Sequence, residues 1–131
     1  MVTFNRDTKA KRPRIFLVDD DPDLRFTFKI GLEKHGFVVD IFSEPTVALS
    51  NFKTGTYDLL LIDIKMPKMN GFELYREIEK IDSKIKVCFM TAFVVYYESL
   101  KEIFPMSRVS CFIKKPIEMA ILADRLRAEL R

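Results

Sequence analysis

The residue most open to chemistry is a carboxylate at the end of a buried stretch. Leu59 to Ile62 is an unbroken apolar run that stops at Asp63, a pattern typical of a parallel strand covered on both faces. Pro67 and the pair Asn70-Gly71 then turn the chain. Because functional sites of open parallel sheets lie at the carboxyl ends of the strands, Asp63 is a candidate functional residue.

Polar groups also end three other apolar runs. These groups are Asp19-Asp20-Asp21, Thr91-Ala92 and Lys114-Lys115-Pro116. Each has a structural alternative: Asp21 or Thr91 could cap a helix, and Lys115 could be a surface residue before a helix-starting proline. Their joint occurrence at strand ends instead favours one shared site.

The residue types of that site suit phosphoryl chemistry with a metal ion. Five carboxylates are expected to lie near one another: Asp19, Asp20, Asp21, Asp23 and Asp63. Carboxylates hold hard cations such as Mg²⁺, while a lysine and a hydroxyl can stabilise phosphoryl oxygens. We therefore expect a cation and a phosphoryl group to meet at this edge.

Apolar strand-like runs alternate with helical spacing along the chain. Strands are predicted at residues 15–18, 37–42, 59–62, 85–90 and 109–113. Helices are predicted from Leu24 to His35-Gly36, from Pro45 with Val47, Leu49 and Phe52, from Gly71 to Ile78, from Tyr96 to Ile103, and from Ile117 to Leu130. Five such repeats need right-handed crossovers, so the sequence predicts an α/β fold with a doubly wound five-stranded parallel sheet in the order 2-1-3-4-5.

Two details of packing follow from the same spacing. Phe26 and Ile30 are expected to broaden the buried face of the first helix. Cys88 and Cys111 each fall within an apolar run, and we expect ordinary core thiols there instead of a disulfide or a metal pair.

Size and composition favour a single soluble domain. The chain has 131 residues, of which 48% are hydrophobic, enough for one core. No apolar run reaches about 18 residues and no signal-peptide pattern is present, so neither membrane insertion nor secretion is indicated and the cytoplasm is the default location.

The basic residues are unevenly distributed. Residues 1–14 carry five basic side chains and one acidic one, whereas the rest of the chain has 17 and 18. We expect a basic flexible leader at residues 1–13, followed by one domain at 14–131. Direct nucleic-acid binding is not expected.

The motifs together resemble the receiver domain of two-component response regulators, the CheY-like family with a flavodoxin-like (βα)5 fold. The resemblance covers residues 14–130. It is carried by Val18-Asp19-Asp20, by Asp63 with Met66-Pro67 and Gly71, by Thr91-Ala92 and by Lys115-Pro116.

The resemblance implies a phosphoacceptor and a metal site. Asp63 would accept the phosphoryl group. Mg²⁺, with Mn²⁺ as the alternative ion, would be held by Asp19, Asp20, Asp63 and the backbone carbonyl of Lys65. Lys65 and Phe93 occupy positions that tune the lifetime of the phosphorylated state.

The resemblance also implies a phosphoryl-binding set and a switch. Thr91, Ala92 and Lys115 would contact the phosphoryl oxygens, and Thr91 with Phe112 would form the switch. The responding surface would be the fourth predicted helix, the fifth strand and the last helix. Its apolar residues are too many for all to face the core: Tyr96, Tyr97, Leu100, Met119, Leu122 and Leu126.

The implied function is phosphoryl transfer from a histidine kinase, or from a phosphotransfer protein, to Asp63. Beyond Mg²⁺-assisted self-phosphorylation and autodephosphorylation no enzyme activity is expected, and a phosphorylation-dependent homodimer is one expected outcome. The main alternative is a pseudo-receiver that acts only as a protein-interaction module. A haloacid-dehalogenase-like phosphatase is disfavoured because Asp63-Ile64-Lys65 lacks its Asp-x-Asp motif, and a nucleotide or flavin module because no glycine-rich phosphate loop is present.

Overall fold

The computed structural model describes residues 12–92 and 111–131. Its strands are β1 Arg14–Val18, β2 Val38–Phe42, β3 Leu59–Asp63, β4 Lys86–Thr91 and β5 Cys111–Lys114. Its helices are α1 Pro22–Lys34, α2 Pro45–Asn51, α3 Gly71–Ile81 and α4 Met119–Leu130. The helix predicted from Tyr96 to Ile103 and most of the predicted leader lie outside the described residues. Across the described ranges, no helix has both the length and the apolar character to cross a lipid bilayer.

The strands form one parallel sheet in the order β2-β1-β3-β4-β5, which confirms the predicted topology. The register pairs Val18 with Ile62, Asp63 with Met90, and Thr91 with Lys114. The carboxyl ends of β1, β3, β4 and β5 are therefore neighbours at one edge of the sheet.

The three inner strands β1, β3 and β4 are buried along almost their whole length, because helices cover both faces of the sheet. Alternate side chains enter two cores, as the pleat requires. Phe16, Leu60 and Ile62 pack in the core with α2 and α3. Ile15 and Leu61 pack in the core with α1 and α4.

The first helix departs from the predicted packing. Phe28 and Leu32 are buried as expected, but Phe26 and Ile30 are 61% and 54% exposed. Two residues along an α-helix correspond to a rotation of about 200°, so residues 26 and 30 lie opposite the buried row. The prediction that they broaden the buried face was wrong.

Exposure also differs from the prediction on α2 and α4. Val47 is exposed and Ala48 is buried in its place. On α4, Leu122 and Leu126 are fully buried, and Ile121 is the apolar residue that faces solvent. Of the three α4 residues in the apolar set predicted for the responding surface, Leu122 and Leu126 thus face the core, and Met119 is partly buried.

The cysteines correct a second prediction. Cys88 and Cys111 are joined in a disulfide, so neither of the chain's two cysteines is a free thiol. The cause is the register, which places Cys88 of β4 directly opposite Cys111 of β5. Side chains of a register pair project from the same face of the sheet, which brings the two sulfurs together.

The start of α3 is held tightly against the end of β3. Asn70 and Glu73 form a capping box in which each side chain accepts the other's backbone N–H, both at 2.9 Å. The Gly71 N–H donates to the Ile64 carbonyl at 2.8 Å. A Cβ atom at position 71 would lie 2.5 Å from the Asp63 carbonyl oxygen, so this close approach requires glycine.

We predict that Gly71→Ala destabilises the fold by about 1–3 kcal/mol, because the added methyl group has to displace backbone. Helix propensity alone would give the opposite sign, since alanine is favoured over glycine by about 1 kcal/mol. Urea unfolding measures the change. The control is Thr46→Ala, at an exposed position in the first turn of α2, and an unfolding free energy equal to wild type in Gly71→Ala would contradict the steric account.

Candidate functional site

The centre of the site is a lysine between two buried carboxylates. Asp63, the last residue of β3, is only 6% exposed, and Asp19, just after β1, is fully buried. The Lys115 Nζ lies 3.2 Å from Asp63 Oδ1 and 3.1 Å from Asp19 Oδ2. One ammonium group thus joins the ends of three strands, β1, β3 and β5.

Backbone and side-chain contacts fix Asp19 in place. Its Oδ1 accepts the Asp21 N–H at 3.0 Å, and its own N–H donates to the Phe42 carbonyl at 3.2 Å. Arg25 Nη1 donates to the Asp19 carbonyl at 2.8 Å. Arg25 was not among the predicted site residues, and its position one turn into α1 is the only sequence signal that could have suggested it.

The expected group of five carboxylates is smaller in the structure. Asp21 Oδ1 accepts the N–H groups of Asp23 and Leu24, at 3.0 and 3.4 Å, and so serves as the N-cap of α1. Asp23 is exposed in the first turn of that helix. Asp21 is therefore a helix cap, which is the structural role that its sequence position also allowed.

Asp19, Asp20 and Asp63 remain as a cluster. Each offers a carboxylate oxygen, and these oxygens lie within 4.8 Å of one another. Mg²⁺ prefers oxygen ligands about 2.0–2.1 Å away, which allows opposite ligands about 4 Å apart. The donor atoms and their spacing fit such an ion, and Lys65, two residues after Asp63, is exposed beside them.

Charge is unevenly balanced at this cluster. Burial raises the pKa of Asp63 to about 6, Lys115 opposes the rise, and the carboxylates of Asp19 and Asp20 add to it. Burial alone would lower the pKa of Lys115, but the adjacent Asp63 and Asp19 outweigh burial and raise it. Three carboxylates face one ammonium group, an arrangement that a divalent cation would neutralise.

The ends of β4 and β5 are tied together next to the carboxylates. Thr91, the last residue of β4, is buried, and its carbonyl accepts the Lys115 N–H at 2.8 Å. Ala92 is exposed and lines the same pocket as Asp63 and Lys115. The structure thus brings Thr91, Ala92 and Lys115 to one edge, while Phe93 lies outside the described residues.

Phe112 lies on β5 at a distance from this charged edge. It is partly buried, and its ring stacks on Phe89 of β4 with centroids 5.7 Å apart and an interplanar angle of 28°. The two residues are register partners. Phe112 therefore packs against the core that α2 and α3 cover, and β4 separates its strand from β3, which carries Asp63.

A pocket of about 430 Å³ opens beside the carboxylates. Its walls combine the charged residues with apolar side chains from α1 and from the segment that leads into α4. The apolar lining residues are Leu24, Phe28, Pro116, Ile117 and Met119. Pro116 was expected at this edge as part of the Lys114-Lys115-Pro116 group, whereas the position of Leu24, Phe28 and Ile117 at the site was not predicted.

Fold and site together define an α/β domain with a buried carboxylate, a paired lysine and an acidic cluster at the carboxyl edge of a doubly wound sheet. The family model described as the response regulator receiver domain matches residues 15–127. The chain therefore belongs to the receiver domain family of two-component response regulators, as the resemblance predicted.

Relatives of known sequence agree with this assignment. The transcriptional regulatory protein QseB of Haemophilus influenzae is 30% identical over 118 residues, which are 90% of this chain and 52% of QseB. The response regulator receiver protein CpdR of Brucella abortus is 32% identical over 117 residues, 89% of this chain and 96% of CpdR. The chain thus spans about half of the longer regulator and nearly all of the shorter one.

Solved structures share the fold. The non-phosphorylated HemR receiver domain of Leptospira biflexa superposes with a TM-score of 0.78 at 29% identity, covering 91% of this chain and 94% of that one. The response regulator TrrA of Thermotoga maritima, in complex with Mg²⁺ and a beryllium fluoride, has a TM-score of 0.77 at 29% identity, with 91% and 99% covered.

The raised pKa of Asp63 predicts a pH dependence of stability without metal. A carboxyl whose pKa is higher in the folded protein stabilises the fold below its unfolded pKa of about 3.9, and this contribution is lost as pH rises through about 6. In Asp63→Asn the side chain at position 63 is uncharged at every pH in this range. Its unfolding free energy relative to wild type should therefore increase between pH 4 and pH 7, by on the order of 1–3 kcal/mol.

Urea unfolding in EDTA at both pH values measures this difference. Asp124→Asn, on the exposed surface of α4, controls for the removal of a carboxylate outside the site. A difference between Asp63→Asn and wild type that stays constant from pH 4 to pH 7 would contradict a raised pKa.

Proposed function

We propose that this receiver domain accepts a phosphoryl group on Asp63 from a phosphohistidine of a histidine kinase or of a phosphotransfer protein. The observation that supports it best is the contact of Lys115 with both Asp63 and Asp19, at 3.2 and 3.1 Å. That contact places the Lys115 ammonium group between two buried carboxylates, those of Asp63 and Asp19.

Asp19, Asp20, Asp63 and the Lys65 carbonyl would hold Mg²⁺. When bound, the ion supplies positive charge that offsets the repulsion between an anionic donor and a carboxylate nucleophile. The Mg²⁺ and beryllium fluoride in the TrrA complex support this choice of ion. Mn²⁺ would fit the same oxygen ligands.

The side chains of the domain supply the remaining chemistry. A carboxylate oxygen of Asp63 attacks phosphorus, the bond from phosphorus to the histidine nitrogen breaks, and the donor histidine leaves. Lys115, already beside Asp63, then neutralises a phosphoryl oxygen, and the Thr91 hydroxyl donates a hydrogen bond to another. Ala92 contributes at the pocket wall, and Lys65 and Phe93 affect how long the acyl phosphate survives.

Phosphorylation changes the charge at Asp63 and adds acceptor oxygens, to which Thr91 can respond. If Thr91 moves toward the phosphoryl group, Phe112 can occupy the space it leaves and shift its packing on Phe89. Among the described residues, the output face is formed by β5 and α4, through which the domain would bind its partner or a second copy of itself. A receiver of this type performs no catalysis on other molecules beyond its own phosphorylation and dephosphorylation.

We predict that Asp63 is the only residue modified by a small acyl phosphate in the presence of Mg²⁺. Intact mass should show one added phosphoryl group in wild type and none in Asp63→Asn. Asp58→Asn is the matched control, because Asp58 directly precedes the other end of β3 and is exposed.

Two results would count against this assignment. Modification of Asp63→Asn to wild-type stoichiometry would show that another residue is the acceptor. A wild-type protein that binds Mg²⁺ and yet takes up no phosphoryl group would favour the pseudo-receiver alternative, which the comparisons do not support.

Mg²⁺ should also stabilise the fold, because it binds the native acidic cluster and relieves the repulsion there. The expected gain is about 2.7 kcal/mol at a hundredfold excess over Kd. Asp20→Ala should abolish the gain without disturbing the buried pairs of Lys115, since Asp20 is the exposed member of the cluster. Calorimetric melting with and without Mg²⁺ measures it.

The control for this melting experiment is Asp23→Ala, which removes a nearby carboxylate outside the cluster and should keep the response. An undiminished Mg²⁺ shift in Asp20→Ala would exclude the cluster as the metal site.

A further inference from the structure

Cys88 and Cys111 form a site that phosphoryl transfer does not use. Both are fully buried, on β4 and on the edge strand β5 of the sheet. They are register partners with Cα atoms 4.6 Å apart, within the range of about 4.4–6.8 Å found for disulfides. They belong to the core beneath α4, on the opposite face of the strand pair from Phe112.

Cys111 has a positively charged neighbour. Arg125 Nη2 donates to Cys111 Sγ at 3.7 Å and to the Phe112 carbonyl at 3.3 Å. A guanidinium group beside a sulfur stabilises the thiolate, which is the nucleophilic form of cysteine. In the reduced protein Cys111 is therefore the cysteine better placed to attack an oxidant.

A metal ion fits this place less well. Cys88, Cys111 and Glu129 could offer three ligand atoms within 4.8 Å of one another. Structural zinc sites in proteins use four ligands, however, and the positive charge of Arg125 beside Cys111 would repel a cation. The geometry favours a bond between the sulfurs.

The pair also holds the strand that carries the switch residue. Cys111 immediately precedes Phe112, and Cys88 immediately precedes Phe89, on which the Phe112 ring stacks. Among the described strands β5 pairs with β4 alone, so a covalent bond at this register pair fixes β5 where the two aromatic rings meet.

We infer that Cys88 and Cys111 are a reversible redox modification site, oxidised by a peroxide, whose disulfide locks β5 onto β4 and restrains Phe112. The effect on signalling rests on the proposed function; the redox chemistry and the lock do not. Because both sulfurs are buried, the oxidant is small, and hydrogen peroxide meets that requirement.

Hydrogen peroxide oxidises the two thiols to the disulfide in two steps. The Cys111 thiolate attacks one peroxide oxygen, the O–O bond breaks, and hydroxide leaves as water after protonation, giving a sulfenic acid. The Cys88 sulfur then attacks the sulfenic sulfur, the S–O bond breaks, and a second water leaves with the thiol proton. Two thiols are oxidised to one disulfide while one peroxide is reduced to two waters, and a dithiol reverses the process by two thiol–disulfide exchanges.

The first experiment follows the disulfide bond in the folded protein. Protein reduced with dithiothreitol and then exposed to hydrogen peroxide should lose two hydrogen atoms by intact mass and resist alkylation after unfolding. Dithiothreitol should restore both thiols without denaturant. Methionine oxidation is distinguished because it adds oxygen and dithiothreitol does not reverse it.

Single-cysteine variants assign the order of attack. With its partner removed, Cys111 in Cys88→Ala should form several-fold more sulfenic acid than Cys88 in Cys111→Ala, as trapped by dimedone when the peroxide-treated protein is unfolded. Cys88→Ser and Cys111→Ser provide second variants if alanine impairs folding. Two thiols that remain fully alkylatable after peroxide, or a bond that dithiothreitol reduces only in denaturant, would overturn the inference.

The second experiment measures the lock by amide hydrogen exchange in residues 111–114. Exchange should be about tenfold slower in the oxidised protein than in the reduced one, and insensitive to peroxide in Cys88→Ala. Running it also in Asp63→Asn keeps the result independent of phosphorylation. Equal exchange in both redox states would overturn the lock, even if the wild type were phosphorylated as proposed.

The link to signalling is tested in wild type alone. The half-life of the phosphorylated state, or the exchange response of residues 111–114 to beryllofluoride with Mg²⁺, should differ at least about twofold between oxidised and reduced protein. Identical responses would overturn the coupling to Phe112. Absence of any phosphorylation or beryllofluoride binding would instead count against the proposed function.

Discussion

The site depends on one ammonium group placed between two buried carboxylates. Lys115 compensates part of the charge that Asp19 and Asp63 bring into the protein, and without it two adjacent buried carboxylates would repel each other strongly. The compensation is incomplete, because Asp20 adds a third carboxylate. Burial is the main cause of the raised pKa of Asp63, and the charges of Asp19 and Asp20 add to it. The fold thus tolerates an electrostatic cost at the place where a cation and a phosphoryl group would bind, as is usual for functional sites.

The rest of the domain holds that arrangement rigid from several directions. The parallel register aligns the strand ends. The hydrogen bond from the Lys115 N–H to the Thr91 carbonyl fixes the end of β5 beside the end of β4. On the other side, Gly71 allows α3 to start in contact with the Asp63 carbonyl, which no larger residue permits without displacement. Asp21 caps α1 just after Asp19 and so fixes where that helix begins. Close packing of backbone, more than side-chain bonding, therefore positions Asp63.

The sequence predicted the topology and the grouping of the charged residues because both depend on strong local signals. Apolar runs of strand length, separated by helical spacing, leave few arrangements open, and polar residues at their ends must meet at one edge. The side on which a helix packs is a weaker signal. Phe26 and Ile30 fit an apolar stripe by composition, yet they lie opposite Phe28 and Leu32. The disulfide could have been predicted only from the register between β4 and β5. If Thr91 lies opposite Lys114, the residues three positions earlier on each strand, Cys88 and Cys111, are also paired.

The edge strand β5 is attached to β4 at both of its ends. Within the described part of the chain its strand neighbour is β4, and four register pairs join the two strands. Its first residue is bonded to β4 through sulfur, and the backbone N–H after its last residue bonds to Thr91. Between these two ties lies Phe112, stacked on Phe89. In the proposed switch, a change at Lys115 would act on one end of this strand, and the redox state of the cysteines would act on the other. In the proposed mechanism the response of Phe112 to phosphorylation of Asp63 would therefore depend on both ends of this strand, on charge at Lys115 and on the redox state of Cys111.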